Sequence, residues 1–551
     1  MASVGTFLHE EITIENKAFS SFKTIIESAF YGNNVEVISD LASAYDLARK
    51  SPGAIVTDMP VSHATDLGLP EDAKVIVFND GNVTGRTASA RRVIGQPGID
   101  KTLYEGVLRD ALAQGTHKKF YAGEVVVGLD KDFMVKAHLL LPENYETNFY
   151  SYLLNFQIMN QEWRALYQDS KNYPETDIFL YADPDWTHPD FPHGLALFDS
   201  EHNVAAILGL KYFGELKKAT LTLAWSIAHR NGYVACHGGM KEYQFSDKKF
   251  TMATFGLSGS GKSTITLAKH NDKYQIKVLH DDAFVINQLN GSTTALEPSY
   301  FDKTQDYSLT DSAVDYFMTC QNVGVTLDDS GKKVIVTQDI RNGNGRTVKS
   351  RFVTPNRVDH LCSALDAIFW IMKDDTLPPV VKIDDPNLAA VFGLTLATKR
   401  STAENILGNN DRDQLVIEPF ANPFRVYPLE EDFEDFKNLF KESQTACYIL
   451  NTGFYQGKKV TPQDTLSSIE KIIEENAEFI SFGSILGMNY LPLEGFKVDF
   501  EDDNYVSALR ERMESRLTFI LSQNSENDGY NALPKEAVST MKRVISEIVL
   551  L

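Results

Sequence analysis

Cysteine is scarce. The 551 residues hold four, Cys236, Cys320, Cys362 and Cys447. They are scattered, with no Cys-x-x-Cys pair, which argues against a disulfide framework or a zinc knuckle and fits a reducing cytoplasm. Long apolar runs are missing too. The best stretch, 221–228, falls far short of the roughly eighteen residues that a bilayer span requires. The N-terminus, MASVGTFLHEEITIENKAF, has no basic segment followed by an apolar run, so no secretory signal is expected. Positive charge is in deficit: 53 Lys and Arg against 75 Asp and Glu leave a formal charge of −22. That argues against nucleic-acid partners and against adhesion to anionic membranes, although a local basic pocket can still take an anionic small molecule. There are no internal repeats and no low-complexity tract. What remains is ordinary for a cytoplasmic globular enzyme, with 43% hydrophobic and 23% charged residues, long enough for two or three domains.

One stretch stands out. Residues 249–255 read as a strand, rich in Phe and Thr and without Gly or Pro. Gly256-Leu257-Ser258-Gly259-Ser260-Gly261-Lys262-Ser263 follows, then Thr264. This satisfies G-x-x-x-x-G-K-[ST]. Glycines let the backbone bend around a phosphate chain so that successive N–H groups point inward. Lys262 is placed to lie along the β- and γ-phosphates, and the Ser263 hydroxyl to reach a Mg²⁺. A helix starting near Lys262 adds its positive N-terminal end.

The rest alternates helices and strands. Helices are expected at 19–30 and 42–49, strands at 35–38, 54–56 and 74–78. An arginine-bearing glycine loop, with Arg86, Arg91 and Arg92, comes next. Residues 150–163 are aromatic at helical spacing and read as packing. The Asp- and His-rich stretch 181–194 carries three prolines and reads as a rigid loop, not a metal site. Paired strands are expected at 195–198 and 204–210. Then Lys217 and Lys218 stand at the head of an apolar helix, 219–229. Cations are disfavoured there, so an anionic ligand or a metal is one explanation and an exposed turn the other. Strand 233–237 ends in His237. Strand 275–279 leads to Asp281 and Asp282, where phosphate-loop enzymes place the acid that organises Mg²⁺. Adjacent carboxylates on extended chain diverge, so the two would serve different sites, unless they mark only a surface turn. Lys303, Gln321 and Arg346 fall in strand–turn segments. Residues 377–380 read as a rigid connection and 393–412 as a mobile polar segment. A basic glycine loop spans 451–459, and helices are expected at 466–476 and 534–551.

These islands, in this order, resemble ATP-dependent phosphoenolpyruvate carboxykinase. Thr84-Gly85-Arg86 stands for the family's TGR loop, and Tyr212-Phe-Gly-Glu-Leu-Lys217-Lys218 for its Y-G-G-E-M-K-K segment. His237 matches the metal-binding histidine, residues 255–264 the F-G-L-S-G-T-G-K-T-T loop, and His280-Asp281-Asp282 the G-D-D segment. The resemblance runs from about residue 80 to 475. It implies an α/β, two-domain phosphoenolpyruvate carboxykinase-like fold. An N-terminal substrate domain (1–230) would supply Arg86 and the 212–218 segment. A C-terminal P-loop domain (231–551) would carry nucleotide and metal, with the active site in the cleft between them.

The resemblance also implies a reaction, oxaloacetate plus ATP giving phosphoenolpyruvate, CO₂ and ADP, with ATP, Mg²⁺ and Mn²⁺ as cofactors. Lys218, as a neutral amine of depressed pKa, would bind the Mn²⁺ together with His237 and Asp282. Ser263 would hold Mg²⁺, with Asp281 in its water shell. Arg86, Tyr212 and Arg346 would hold substrate carboxylates. Lys217 and Lys262 would neutralise phosphate. Lys303, Gln321, Lys459 and Thr465 would line the nucleotide. No nucleic-acid or membrane partner is implied, and a monomer is favoured.

The departures are specific. The family's H-C-S-A-N is His237-Gly238-Gly239-Met240-Lys241. Its E-N-V glutamate is Gln321, a nucleotide-site arginine is Lys459, and the lid motif is only echoed around 397–402. The chain therefore reads as a distant member. A kinase acting on another small acid or a protein hydroxyl, and a non-catalytic ATP-binding regulator, are the competing readings.

Overall fold

Apolar strands gather into sheets, and the loops at the strand ends carry the candidate residues. A computed structural model describes residues 5–81, 90–257, 259–338, 345–399 and 415–548. The chain divides into two compact units. The first takes in the described residues up to Asn231 and the segment Thr294–Pro355. The second takes in Gly232–Thr293 and the described residues from 356 onward. Contiguous blocks meeting at 230/231 were the expectation; instead, residues 294–355 return to the first unit. The reason is strand pairing: Phe317–Gln321 lies parallel to Lys74–Phe78, with Thr319 opposite Ile76 and Gln321 opposite Phe78.

The first unit has two large sheets. One runs Val35–Val37, Phe120–Asp130, Phe133–Pro142, Ile178–Asp183, Val204–Leu208, Leu195–Asp199, Arg91–Val93. The other runs Tyr300–Lys303, Arg346–Lys349, Phe317–Gln321, Lys74–Phe78, Ile55–Pro60. Helix Phe213–Arg230 packs on strands Ile178–Asp183 and Val204–Leu208. Leu216, Ala219, Leu223, Trp225 and Ile227 are all buried, as expected of a helix that is apolar all round. It begins at Phe213, not at 219. Lys217 and Lys218 therefore sit in its second turn and not at its head. Gly214, a poor helix former, hides the start from a propensity reading, while Glu215 in the first turn complements the dipole.

Two other elements differ from expectation. Residues 150–163 do not form one helical stretch: helix Glu146–Asn155 stops, Phe156 is extended, and Asn160 caps a new helix, Gln161–Gln168, by accepting from Trp163 N. The helix expected at 466–476 begins four residues earlier, at Pro462, where Thr461 and Asp464 form a capping box. Helix Asp503–Ser522, capped by Asp502, was not among the expected elements.

The second unit is built on the sheet Gln275–His280, Gly239–Phe245, Lys248–Phe255, Ala367–Met372, Ala446–Asn451, Val380–Ile383, Met488–Tyr490, Ile480–Ser481. Its three central strands, Lys248–Phe255, Ala367–Met372 and Ala446–Asn451, run parallel. Their C-terminal ends open into the loops beginning at Gly256, Lys373 and Thr452, the usual location of ligand sites in such sheets. Among the described residues no helix is long and apolar enough to cross a membrane.

Behind this sheet lies a buried ion pair. Arg516, 1% exposed, donates to Asp374 Oδ2 at 2.6 Å and to Thr395 Oγ1 at 2.9 Å. Burial alone would raise the Asp374 carboxyl; Arg516 and Arg512, with the Thr376 hydroxyl, bring it below its ordinary range. Arg516→Met leaves that buried carboxylate with only Arg512 and the Thr376 hydroxyl as partners, so unfolding in urea should show a loss toward the lower end of about 3–5 kcal/mol. The sign with pH follows. A carboxyl with a folded pKa below its unfolded value contributes fully above about pH 4 and loses that contribution as pH falls through the folded value. The wild type should therefore lose stability on acidification more steeply than the Met variant.

Candidate functional site

The strand Lys248–Phe255 delivers the glycine loop, and packing dictates its composition. A Cβ on Gly256 would lie 2.4 Å from Ser260 Oγ and 3.0 Å from Ile371 Cβ. Gly261, at φ 98°, occupies the left-handed region and starts helix Lys262–Leu267. Ser260 is buried, and its carbonyl accepts from Thr452 Oγ1 at 2.7 Å. The loop following the third parallel strand thus pins the phosphate loop. Leu257 and Gly259 fall within the turn, Ser263 and Thr264 are exposed in the first turn of the helix, and Ser258 lies outside the described residues. Lys262 Nζ is 3.8 Å from Asp282 Oδ1.

His237, at the end of strand Tyr233–His237, brings its Nε2 to 2.8 Å from Asp282 Oδ1. Its Nδ1 lies 2.5 Å from the Ala421 carbonyl oxygen. A carbonyl only accepts, so Nδ1 carries the proton. In a neutral ring Nε2 then presents a lone pair to a carboxylate oxygen. Two acceptors that close need a proton or a cation between them. The carbonyl that fixes the ring comes from a backbone held at positive φ, 53° at Phe420 and 55° at Ala421, a costly conformation for such residues. Among the described residues no three His, Cys, Asp or Glu side chains gather as a metal cage. The donors at hand beside each other in this unit are an imidazole and a carboxylate, a pair that suits a divalent transition ion. Asp281 is buried and Asp282 partly exposed, as diverging neighbours should be.

The Gly238-Gly239 departure has a steric reason. A Cβ at Gly239 would meet Thr266 Oγ1 at 1.9 Å and Thr254 Oγ1 at 2.7 Å, and one at Gly238 would meet the Thr254 carbonyl oxygen at 2.6 Å. Thr254 and Thr266, bonded to each other at 3.1 Å, fill the space that side chains at 238 and 239 would need.

In the first unit a second group assembles. Lys303 stands opposite Arg346, and Arg346 opposite Gln321, across three adjacent strands, so their side chains share a face. Gln321 Oε1 accepts from Phe213 N at 3.1 Å, and its Nε2 donates to Asp80 Oδ2 at 3.0 Å. The Tyr212 ring covers the first turn of its helix; a Cβ on Gly214 would lie 2.3 Å from it. Burial raises the Tyr212 phenol, Glu215 and Asp80 add to this, and the hydrogen-bonded Arg346 guanidinium opposes it. Tyr212, Gln321 and Arg346 are thus brought together. Arg86 lies outside the described residues.

Lys217 and Lys218 part company. Lys217, expected on phosphate, makes an ion pair with Glu297 at 2.8 Å in which both side chains are 0% exposed; Asn155 donates to the other Glu297 oxygen at 2.7 Å. Its place in the second turn of a buried helix directs it into the core. Lys218 is partly exposed, its Nζ 5.9 Å from the Trp225 ring centroid. It belongs to the first unit, His237 and Asp282 to the second. Lys459 is exposed on the hairpin Phe454–Tyr455 with Lys458–Lys459. Thr465 is buried, its hydroxyl on the Thr461 carbonyl at 3.4 Å. Ala421, Asp80 and Glu297 were not singled out from sequence; Thr452 falls at the head of the basic glycine loop expected at 451–459.

A model of the phosphoenolpyruvate carboxykinase family matches residues 68–484. Similar proteins include phosphoenolpyruvate carboxykinase (ATP) of Aeropyrum pernix, 23% identical over 53% of this chain and 60% of that protein. The Dictyostelium discoideum enzyme of that name is 23% identical over 35% and 36%. Phosphoenolpyruvate carboxykinase (ATP) 2 of Salinibacter ruber is 20% identical over 69% and 73%. The chain thus matches about three fifths and about a third of the length of the first two curated relatives. With some three quarters of its length under the family model, phosphate loop and His237–Asp282 pair included, the chain belongs to the phosphoenolpyruvate carboxykinase family.

Proposed function

We propose that this protein converts oxaloacetate and ATP to phosphoenolpyruvate, CO₂ and ADP. The observation that carries the reading is the contact of His237 Nε2 with Asp282 Oδ1 beside Lys262 of the phosphate loop. Nucleotide binding alone requires the loop and a Mg²⁺ site, not an imidazole locked by a backbone carbonyl against a carboxylate.

The roles follow from the side chains. The loop amides and Lys262 hold the β- and γ-phosphates. Ser263 ligates Mg²⁺ and Asp281 orders its water shell. Tyr212 and Arg346, with Arg86, bind the substrate carboxylates, the guanidinium by paired donors. His237 and Asp282 would hold a second divalent ion. That ion, when bound, supplies positive charge to negative charge developing on the substrate oxygen. The C–C bond to the leaving CO₂ breaks, its electron pair forms the enolate, and the enolate oxygen takes the γ-phosphoryl as ADP departs. Arg346 stabilises the charge on the transferring group. Lys217 has no phosphate role here; its pair with Glu297 anchors the helix that presents Lys218.

The protein incubated with oxaloacetate, ATP, Mg²⁺ and Mn²⁺ should form phosphoenolpyruvate in a coupled assay. ATP binding without turnover would remove the reading. His237→Ala should lower turnover by at least about a hundredfold, the scale on which lost metal ligation acts, with nucleotide affinity within about threefold by calorimetry. An unchanged rate would remove the metal assignment.

A further inference from the structure

Helix Lys262–Leu267, which follows the phosphate loop, is six residues long. The last four carbonyls of any helix lack intrahelical partners, and here that is most of the helix. Two carbonyls at this end, those of Ile265 and Ala268, accept from one side chain: Lys241 Nζ donates at 2.7 and 3.3 Å. Lys241 is 1% exposed. It comes from strand Gly239–Phe245, whose alternate residues face the helix. Gly239 lies against Thr266, and Tyr243 shares an apolar cluster with Ile265. The register against strand Gln275–His280 shifts between Met240 and Lys241, the kind of irregularity that re-aims a side chain. The Tyr243 ring centroid lies 4.6 Å from Nζ, so the ammonium is flanked by carbonyls and an aromatic face. Burying a cation is costly, and the related motif ends in asparagine where this chain has Lys241.

We propose that Lys241 is a positioning residue for nucleotide binding: its two bonds clamp the C-terminal end of helix Lys262–Leu267, fix the aim of Lys262, Ser263 and the loop amides, and set a positive charge behind the phosphates. The inference rests on reading residues 256–263 as a phosphate loop. A cation at a helix C-terminus interacts favourably with the helix dipole. Bound phosphate at the opposite end adds a second attraction through the interior, where screening is weak.

Burial lowers the Lys241 ammonium to about 7, so its charge is lost on passing into mildly alkaline solution. Several groups face it. His270 is held down by burial and, to a lesser degree, by Lys241, while Glu470 acts in the opposite sense. Glu470 bonds His270 Nδ1 at 2.9 Å, and the Tyr243 hydroxyl lies 3.0 Å from His270 Nε2. Tyr243, raised by burial, stays neutral, and Tyr274 packs on both rings. Nucleotide affinity is therefore highest below about pH 7, with Lys241 charged, and falls above it.

The test is calorimetric titration of the full chain with Mg-ADP at pH 6.5 and 8.5. Lys241→Met keeps the length and removes the donor; Lys241→Gln keeps a neutral donor. Lys241→Met should bind about three- to tenfold more weakly at pH 6.5, the scale of a favourably placed helix-end charge, and should lose the wild-type fall in affinity between the two pH values. Lys241→Gln should recover part of the affinity but not the pH dependence. A folded Lys241→Met with wild-type affinity and slope overturns the proposal while leaving the phosphate loop intact. A wild type that binds no Mg-ADP overturns the loop reading, and this inference with it. If Lys241→Met does not fold, Lys241→Gln decides, and an unchanged pH slope there overturns the proposal.

Discussion

His237 Nε2 and Asp282 Oδ1 are held 2.8 Å apart, and backbone groups on either side keep them there. The ring is fixed by the Ala421 carbonyl, presented from two consecutive residues in the left-handed region. The carboxylate is fixed by its place just beyond strand Gln275–His280, and Gly238 N donates to the Asp282 carbonyl at 3.0 Å. The repulsion between these atoms disappears only when positive charge lies between them. A site assembled under that constraint is built to hold a cation or a proton, and Lys262 Nζ lies 3.8 Å from the same carboxylate oxygen.

The first unit solves a different problem. It holds cationic side chains close together without letting their charge repel itself. Lys303 and Arg346 stand side by side across a strand pair, an arrangement that is destabilising unless anions answer it. Part of the answer lies within the protein. Gln321, neutral, occupies the third position of the row and hands its amide to Asp80. A carboxylate absent from position 321 is thus supplied next to it from the loop after strand Lys74–Phe78.

Local chemistry was legible in the sequence. The glycine loop, the strand before it, His237 at a strand end and the paired aspartates follow from residue type and order, and each lies where the pattern puts it. The closing helix also matches, with Ala537, Met541, Val544 and Ile548 all buried. Contacts across long sequence distances were not legible. Nothing near Lys217 announces Glu297, eighty residues on, so a core ion pair passed for a phosphate ligand. Nothing near His237 announces a carbonyl at 421. Helix starts were missed where the signal is a single residue, Gly214 masking one and Thr461 marking another.

The order of strands in the second sheet bears on how the chain emerges during synthesis. The strand leading into the phosphate loop ends at Phe255, yet its parallel neighbours are Ala367–Met372 and, beyond that, Ala446–Asn451. Arg516, which neutralises Asp374 just past the middle of these strands, arrives later still. The loop therefore leaves the ribosome before its parallel neighbours exist, with only the antiparallel strand Gly239–Phe245 already made, and its apolar strand waits from residue 255 to residue 367 for a lateral partner on the other side. Such exposed strands are what chaperones shield. A nascent chain halted between residue 264 and helix Asp503–Ser522 would carry the nucleotide motif in full and still lack part of the framework around it.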